Sequence, residues 1–189
     1  MYKEECYIVF DIEASGPFPS KYSLLSIGAC TLQEPRSTFY VELNPDSENY
    51  TTEAMSVNQL SLSNLAVEGL QPEEAMQNFD DWINKTTPEG AKPVFTAFNA
   101  PFDWMFVNEY FHRYLGRNPF GHSALDIKAF YMGLHAVTWK ETSFKEICKK
   151  YCEEHELTHH ALSDAIHGAD LFQVLLNEAN KKFQKATLL

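Results

Sequence analysis

The chain has 189 residues, 44% of them hydrophobic and 14% aromatic, enough to bury roughly 70% of the unfolded surface without disulfide or metal staples. Its formal charge of −11 argues against a broad basic surface for long nucleic acids, but not against an enzyme whose local positive field comes from bound cations. No stretch is apolar for long enough to span a bilayer, and Met1 to Glu5 carry no apolar signal run, so a cytoplasmic protein without membrane contact is expected.

The first element is Cys6–Asp11, an apolar run too short for a helix, whose continuous hydrophobicity predicts a central strand covered on both faces. Ser15-Gly16-Pro17 breaks it into a loop. Leu24–Cys30 and Ser37–Leu43 predict two further strands, joined by a hairpin over Gln33–Arg36, so the first three strands form an antiparallel meander. From Asn44 to Gln71 the signals are weak, with one short helix over Thr52–Leu60. A helix from Pro72 to about Lys85 follows, with acids in its first turn and Ala75, Phe79, Trp82 and Ile83 at helical spacing. Pro93–Phe98 predicts the fourth strand and Phe102–Leu115 a helix after it. Ser123-Ala124-Leu125 leads to another strand end at Asp126.

Two late helices are expected at Ser143–Glu154 and Ala161–Lys182, the second with a buried stripe of Leu162, Ala165, Ile166, Ala169, Phe172 and Leu176. With no repeat or flexible linker, residues 1–189 read as one α/β domain: a mixed sheet with helices packed on it. Cys6 and Cys30 fall in apolar runs and read as small buried hydrophobes. Cys148, Cys152 and His155 share a helical face and suit part of a zinc site. No fourth ligand is evident, however, and two half-buried thiols with a surface histidine is the preferred reading.

Three segments carry chemistry. Asp11 and Glu13 leave the end of an apolar strand at i and i+2, so their side chains point to one side. Like charges placed there are costly unless cations neutralise them, the alternative being an acidic strand end in solvent. Asp103, after Asn99-Ala100-Pro101-Phe102, stands in a helix's first turn, where a carboxylate also suits the helix dipole on its own account. In His159-His160-Ala161-Leu162-Ser163-Asp164, a histidine five residues before an acid at a helix entry brings imidazole and carboxylate toward one pocket.

Together, in order, these segments resemble the three exonuclease motifs of the DEDDh family of 3′-5′ exonucleases, which includes the bacterial polymerase proofreading subunit, ribonuclease T and oligoribonuclease. The motifs are Phe10-Asp11-Ile12-Glu13-Ala14-Ser15-Gly16, Phe98-Asn99-Ala100-Pro101-Phe102-Asp103, and His159 to Ala165. Lesser matches occur at Ser26-Ile27-Gly28-Ala29 and Glu53-Ala54-Met55-Ser56-Val57, and the resemblance runs from about Tyr7 to Leu176. The chain departs from the family in having Ala14-Ser15 where paired threonines are frequent, and in Pro101, which sits well at a helix start.

The resemblance implies a ribonuclease-H-like mixed five-stranded sheet. It also implies two Mg2+ or Mn2+ ions, roughly 3.5–4 Å apart, held by Asp11, Glu13, Asp103 and Asp164, with Asp11 as the bridge. An oxygen-only ligand set independently favours such hard cations over zinc. His159 would be the general base, with His160 as its competitor, and the products nucleoside 5′-monophosphates. Substrate contacts are implied at Ala14, Phe18 and Asn99; Phe18 either stacks on the terminal base or plugs its own loop. Asp126, His167 and Asp170 are expected to be supporting or surface residues, and Trp104 and Phe106 core.

The expected partners are short single-stranded RNA or DNA 3′ ends, gripped with a shallow dependence on salt because few bases are available for phosphates. A polymerase-bound proofreading subunit and a catalytically inactive nucleic-acid-binding domain are the alternatives. The sequence leaves RNA versus DNA open, and oligomeric state too, a homodimer included.

Overall fold

In the computed structural model, which describes residues 4–151 and 158–187, the first apolar run becomes β1 (Glu5–Ala14), longer than expected by three residues at its C-terminal end. Successive side chains of a strand point to opposite faces. Cys6, Ile8, Phe10 and Ile12 therefore enter one core cluster, while Tyr7 and Val9 enter another on the opposite face. Asp11 and Glu13 continue the row of Tyr7 and Val9. Strand parity alone thus assigns both acids to one face of the sheet.

β1 lies at the middle of a five-stranded sheet of order β3-β2-β1-β4-β5. β2 (Leu24–Thr31) and β3 (Thr38–Glu42) complete the expected antiparallel meander. β4 (Lys92–Ala97) pairs parallel to β1, and β5 (Ala124–Asp126) parallel to β4. The first core face is covered by α3 (Pro72–Thr86) and α4 (Ala100–Tyr110), where Phe10 stacks on Phe95 at 4.3 Å between centroids and meets Phe79 edge-on. The second face is covered by α7 (Ala161–Thr187), through Ala169, Phe172 and Leu176.

Several expectations are corrected. Residues 44–71 hold two helices, α1 (Thr52–Asn58) and α2 (Leu62–Glu68). Each is capped by a hydroxyl (Thr51 and Ser61) and buries only one residue, so neither has an apolar stripe to read. The helix expected over Phe102–Leu115 starts two residues earlier and gives way to a π-helical turn over Phe111–Leu115, closed at Gly116 in the left-handed region. α5 (Ile127–His135) was not foreseen; it is capped by Asp126, whose carboxylate accepts the Lys128 N–H.

A 3₁₀ turn (Trp139–Thr142) precedes α6 (Phe144–Tyr151). In α7, Leu162 and Ile166 are only half-buried, and the buried stripe runs instead through Ala161, Ala165, Ala169, Phe172 and Leu176. Cys6 and Cys30 are buried as expected. Cys148 is buried on α6 and disulfide-bonded, not the half-buried thiol expected, whereas Cys152 and His155 lie outside the described residues.

The start of α7 lies almost on the backbone of β2. A Cβ on Gly28 would stand 2.1 Å from the carbonyl carbon of Ala161 and from the nitrogen of Leu162. Glycine is therefore required by close approach, and Gly28 is the cross-strand partner of Asp11. Gly28→Ala should force the helix off the sheet, at an overpacking cost of about 1–3 kcal/mol or more. For a chain of this size each kcal/mol lowers Tm by about 2–4 °C. Gly133→Ala is the paired control, since a Cβ there meets nothing within 4 Å and alanine favours the helix. Thermal melts showing Gly28→Ala as stable as wild type would contradict this close seat.

Candidate active site

Four carboxylates meet where β1 ends. Asp11 and Glu13 come from β1, opposite Gly28 and Ser26 of β2, with an irregularity between Glu13 and Ala14 that ends the regular pairing. Asp103 comes from the first turn of α4, and its Oδ1 accepts the N–H of Ile12 at 3.1 Å, which ties helix to strand between the two β1 acids. Asp164 comes from the first turn of α7 and is buried. Its Oδ1 accepts the Thr158 N–H and hydroxyl, and its Oδ2 the His159 N–H, all at 2.9 Å.

The electrostatics express this crowding. Burial, followed by the charges of Asp103, Glu13 and Asp164, holds the Asp11 carboxyl well above the usual carboxylate range. Burial and then Asp164 push Glu13 up to about 8. Burial pushes Asp103 up to about 8 against the lowering effect of its backbone hydrogen bonds, with Glu13 and Asp126 adding to the rise. Anions in mutual repulsion with an oxygen-only donor set are what a hard divalent cation would relieve. Among the described residues no three His, Cys, Asp or Glu side chains are already drawn into ligating geometry. Asp103 and Asp164 instead turn oxygens to backbone N–H groups.

The two histidines differ in setting. His159 is exposed and sits at φ 54°, its backbone held by Asp164. The ring of His160 stacks on Tyr40 of β3, 4.7 Å between centroids. His167, one turn after Asp164, brings Nδ1 within 3.8 Å of Asp164 Oδ1, while Asp170 pairs with Arg36 at 2.7 Å. Trp104 packs edge-on against Phe95, and Phe106 is fully buried.

A cleft of about 480 Å³ opens beside the carboxylates, with Glu13, Ala14, Gly16, Glu53, Val57 and Phe102 in its walls. Ala14 is among the residues that line this cleft. Phe18 does not line the cleft; it is 40% exposed and packs edge-on against Tyr22. Asn99 is exposed at φ 66°, and its Oδ1 accepts from Lys128 Nζ at 3.4 Å.

The supporting role of Asp126 is concrete: one oxygen accepts the N–H groups of Asn99, Ala100 and Lys128, fixing the entry to α4. Thr158, Glu53, Val57 and Phe102 escaped the sequence reading as site residues. Thr158 had a signal, a hydroxyl residue six positions before an acid at a helix start.

The fold has known counterparts. The nuclease domain of 3′hExo, described as a DEDDh family member bound to rAMP, superposes with a TM-score of 0.73 at 14% identity, covering 94% of this chain and 93% of that one. Exonuclease I of E. coli in complex with a dA16 oligonucleotide gives 0.76 at 13% identity, covering 96% of this chain and 43% of that one. In sequence, the chain is 47% identical over 179 residues to the 3′-5′ DNA exonuclease Cap18 of Escherichia coli, spanning 95% of this chain and 96% of the relative. It is 25% identical over 185 residues to DNA polymerase III PolC-type of Ureaplasma parvum, spanning 94% of this chain but only 12% of that one. The Rv2179c-like 3′-5′ exoribonuclease domain matches residues 6–176. The chain belongs to this Rv2179c-like 3′-5′ exoribonuclease domain family and is a 3′-5′ exonuclease, and it shares its fold with the DEDDh-family nuclease domain of 3′hExo.

Proposed function

We propose that the protein removes nucleotides one at a time from short single-stranded 3′ ends in a reaction dependent on divalent cations. Asp11, Glu13, Asp103 and Asp164 would be the ligands and His159 the general base. The observation that carries this reading is the convergence of four carboxylates from three separated segments, with burial and neighbouring charge raising three of them above the usual carboxylate range. A fold does not retain such repulsion without a use for it, and counter-charge from a cation is the chemistry that fits. Two Mg2+ or Mn2+ ions bound there would supply charge neutralisation at the phosphate and at the departing oxygen.

The remaining work belongs to the chain's own residues. The cleft walled by Ala14, Val57 and Phe102 accepts the terminal nucleoside, and the small side chain of Ala14 lets it approach the end of β1. His159, exposed and held through its backbone by Asp164, takes a proton from the water that attacks phosphorus. The new O–P bond forms as the bond from phosphorus to the 3′ oxygen breaks. That oxygen takes up a proton from solvent, and the phosphate leaves on the nucleotide as a nucleoside 5′-monophosphate. With a charge of −11 the protein has few bases to spend on a long backbone, so its grip extends over only a few nucleotides.

The family description speaks of RNA and the Escherichia coli relative's name of DNA, so the test uses both. Matched 5′-labelled single-stranded RNA and DNA oligomers are digested with Mg2+, with Mn2+ or in chelator, and the products sized. A ladder shortening from the 3′ end, mononucleotide release, and no reaction in chelator are expected. Internal cuts, or full activity in chelator, would reject the reading.

A further inference from the structure

We infer that Trp139 and Lys128 form a second nucleic-acid subsite, a stacking platform with a phosphate-directed ammonium, for a nucleotide upstream of the scissile bond. The inference rests on the exonuclease reading of the carboxylate site and adds to it the path of the strand. Trp139 is 54% exposed, a large apolar ring left in solvent. Lys128 Nζ stands 4.3 Å from the centre of that ring, 6.0 Å from the Phe98 ring and 3.4 Å from Asn99 Oδ1, and no salt bridge engages it among the described residues. In a chain of −11, an ammonium so placed is a scarce resource.

The ring is also held ready. Trp139 opens the 3₁₀ turn, which is fixed by a capping box between Thr138 and Glu141 and by the Thr142 hydroxyl donating to the Trp139 carbonyl at 2.7 Å. Phe144, just after the turn, meets Phe98 edge-on. Ordering a ring in advance lowers the cost of binding a base on it.

The topology supplies the distances. Asp11 is on β1, and Lys128 follows β5, two strands away, which is about 10 Å at the usual strand spacing. Asn99, which touches Lys128, is one helical turn from Asp103, about 6 Å along α4. The cleft for the terminal nucleoside is walled by α1 residues, Glu53 and Val57 among them, and by Phe102 of α4. On this inference a strand with its last nucleoside in that cleft and its last phosphodiester at the carboxylates runs past Asn99 to Lys128. There the platform meets it a few nucleotides upstream. Base stacking on an aromatic ring is tolerant of sequence, which suits an exonuclease.

The test compares a dinucleotide, too short to reach the platform, with a hexanucleotide of the same 3′ end. Trp139→Ala should lower the ratio of kcat/KM for hexamer over dinucleotide by about tenfold, as loss of one stacked base implies. Trp139→Tyr should restore most of it. Lys128→Gln should reduce the slope of log affinity against log salt for the single-stranded hexamer by about 0.7, the contribution of one phosphate contact. Wild-type fluorescence should be quenched by the hexamer, and the quench lost in Trp139→Ala. A ratio unchanged in Trp139→Ala, or Trp139→Tyr behaving like alanine, overturns the platform while leaving the exonuclease reading intact. Wild type that cleaves neither oligomer from its 3′ end overturns both.

Discussion

Asp11→Asn should abolish exonuclease activity and yet leave the metal-free protein as stable as wild type, or more stable, at pH 8. Asp11 is the acid that feels all three of the others, so neutralising it removes the largest share of the repulsion. The sign follows from linkage. The folded-state pKa values of Asp11, Glu13 and Asp103 lie above the ordinary carboxylate values near 4. Stability is therefore fully present below about pH 4 and is lost as pH rises through the folded values, about 8 for Glu13 and Asp103.

Melts of wild type in chelator should fall steadily across that window, and the Asp11→Asn curve should be flatter, the two converging in acid. Added Mg2+ or Mn2+ at pH 8 should raise the wild-type Tm and move the variant less. A variant that melts well below wild type in chelator at pH 8 would make Asp11 a structural residue, and the carboxylate site would have to be abandoned.

His159→Ala should lower kcat by about 10²–10⁴, the usual worth of a positioned general base. His160→Ala should retain most activity, because it loses only a stacking contact with Tyr40. His159 sits at φ 54°, a conformation that alanine tolerates less well than asparagine does. His159→Asn is therefore the companion variant. It keeps the N–H that Asp164 holds and the left-handed turn, and removes only the basic nitrogen. Equal losses at positions 159 and 160, or near-normal rates for His159→Asn, would remove His159 from the chemistry.

Much of this architecture was legible because β1 carries two messages in one run. Its unbroken hydrophobicity marks a strand covered on both faces, and its alternation fixes which face takes Asp11 and Glu13. The meander, α3 and the start of α7 were readable for the same kind of reason, each having a period and an end signal. α2 was not, since only Leu65 is buried and the helix is held by the Ser61 cap and its surroundings. α5 hid because its cap, Asp126, reads equally well as a strand end. The π-helical turn at residues 111–115 has no local pattern that separates it from a continuing helix.

Among site residues, the four acids could be found by motif order. Of the cleft wall, Ala14 was named, but Val57 and Phe102 were not, because they are brought together across the fold and look like ordinary apolar positions. Lys128 and Trp139 escaped for a similar reason: they lie eleven positions apart, and the turn held by Thr138 and Glu141 places one over the other.

Asp164 has one further consequence. The same carboxylate that faces Asp11 and Glu13 also clasps Thr158 and His159 through its hydrogen bonds. Among the described residues, the one further hydrogen bond to either is from the His160 N–H to the Thr158 hydroxyl, at 3.3 Å. Exchanging Asp164 would release the histidine along with the charge, so the two functions cannot be inherited or engineered separately. A redesign that seeks a new substrate by changing the loop has to rebuild the clasp first. Amide exchange at Thr158 and His159 then becomes a direct gauge of how firmly that single side chain is engaged.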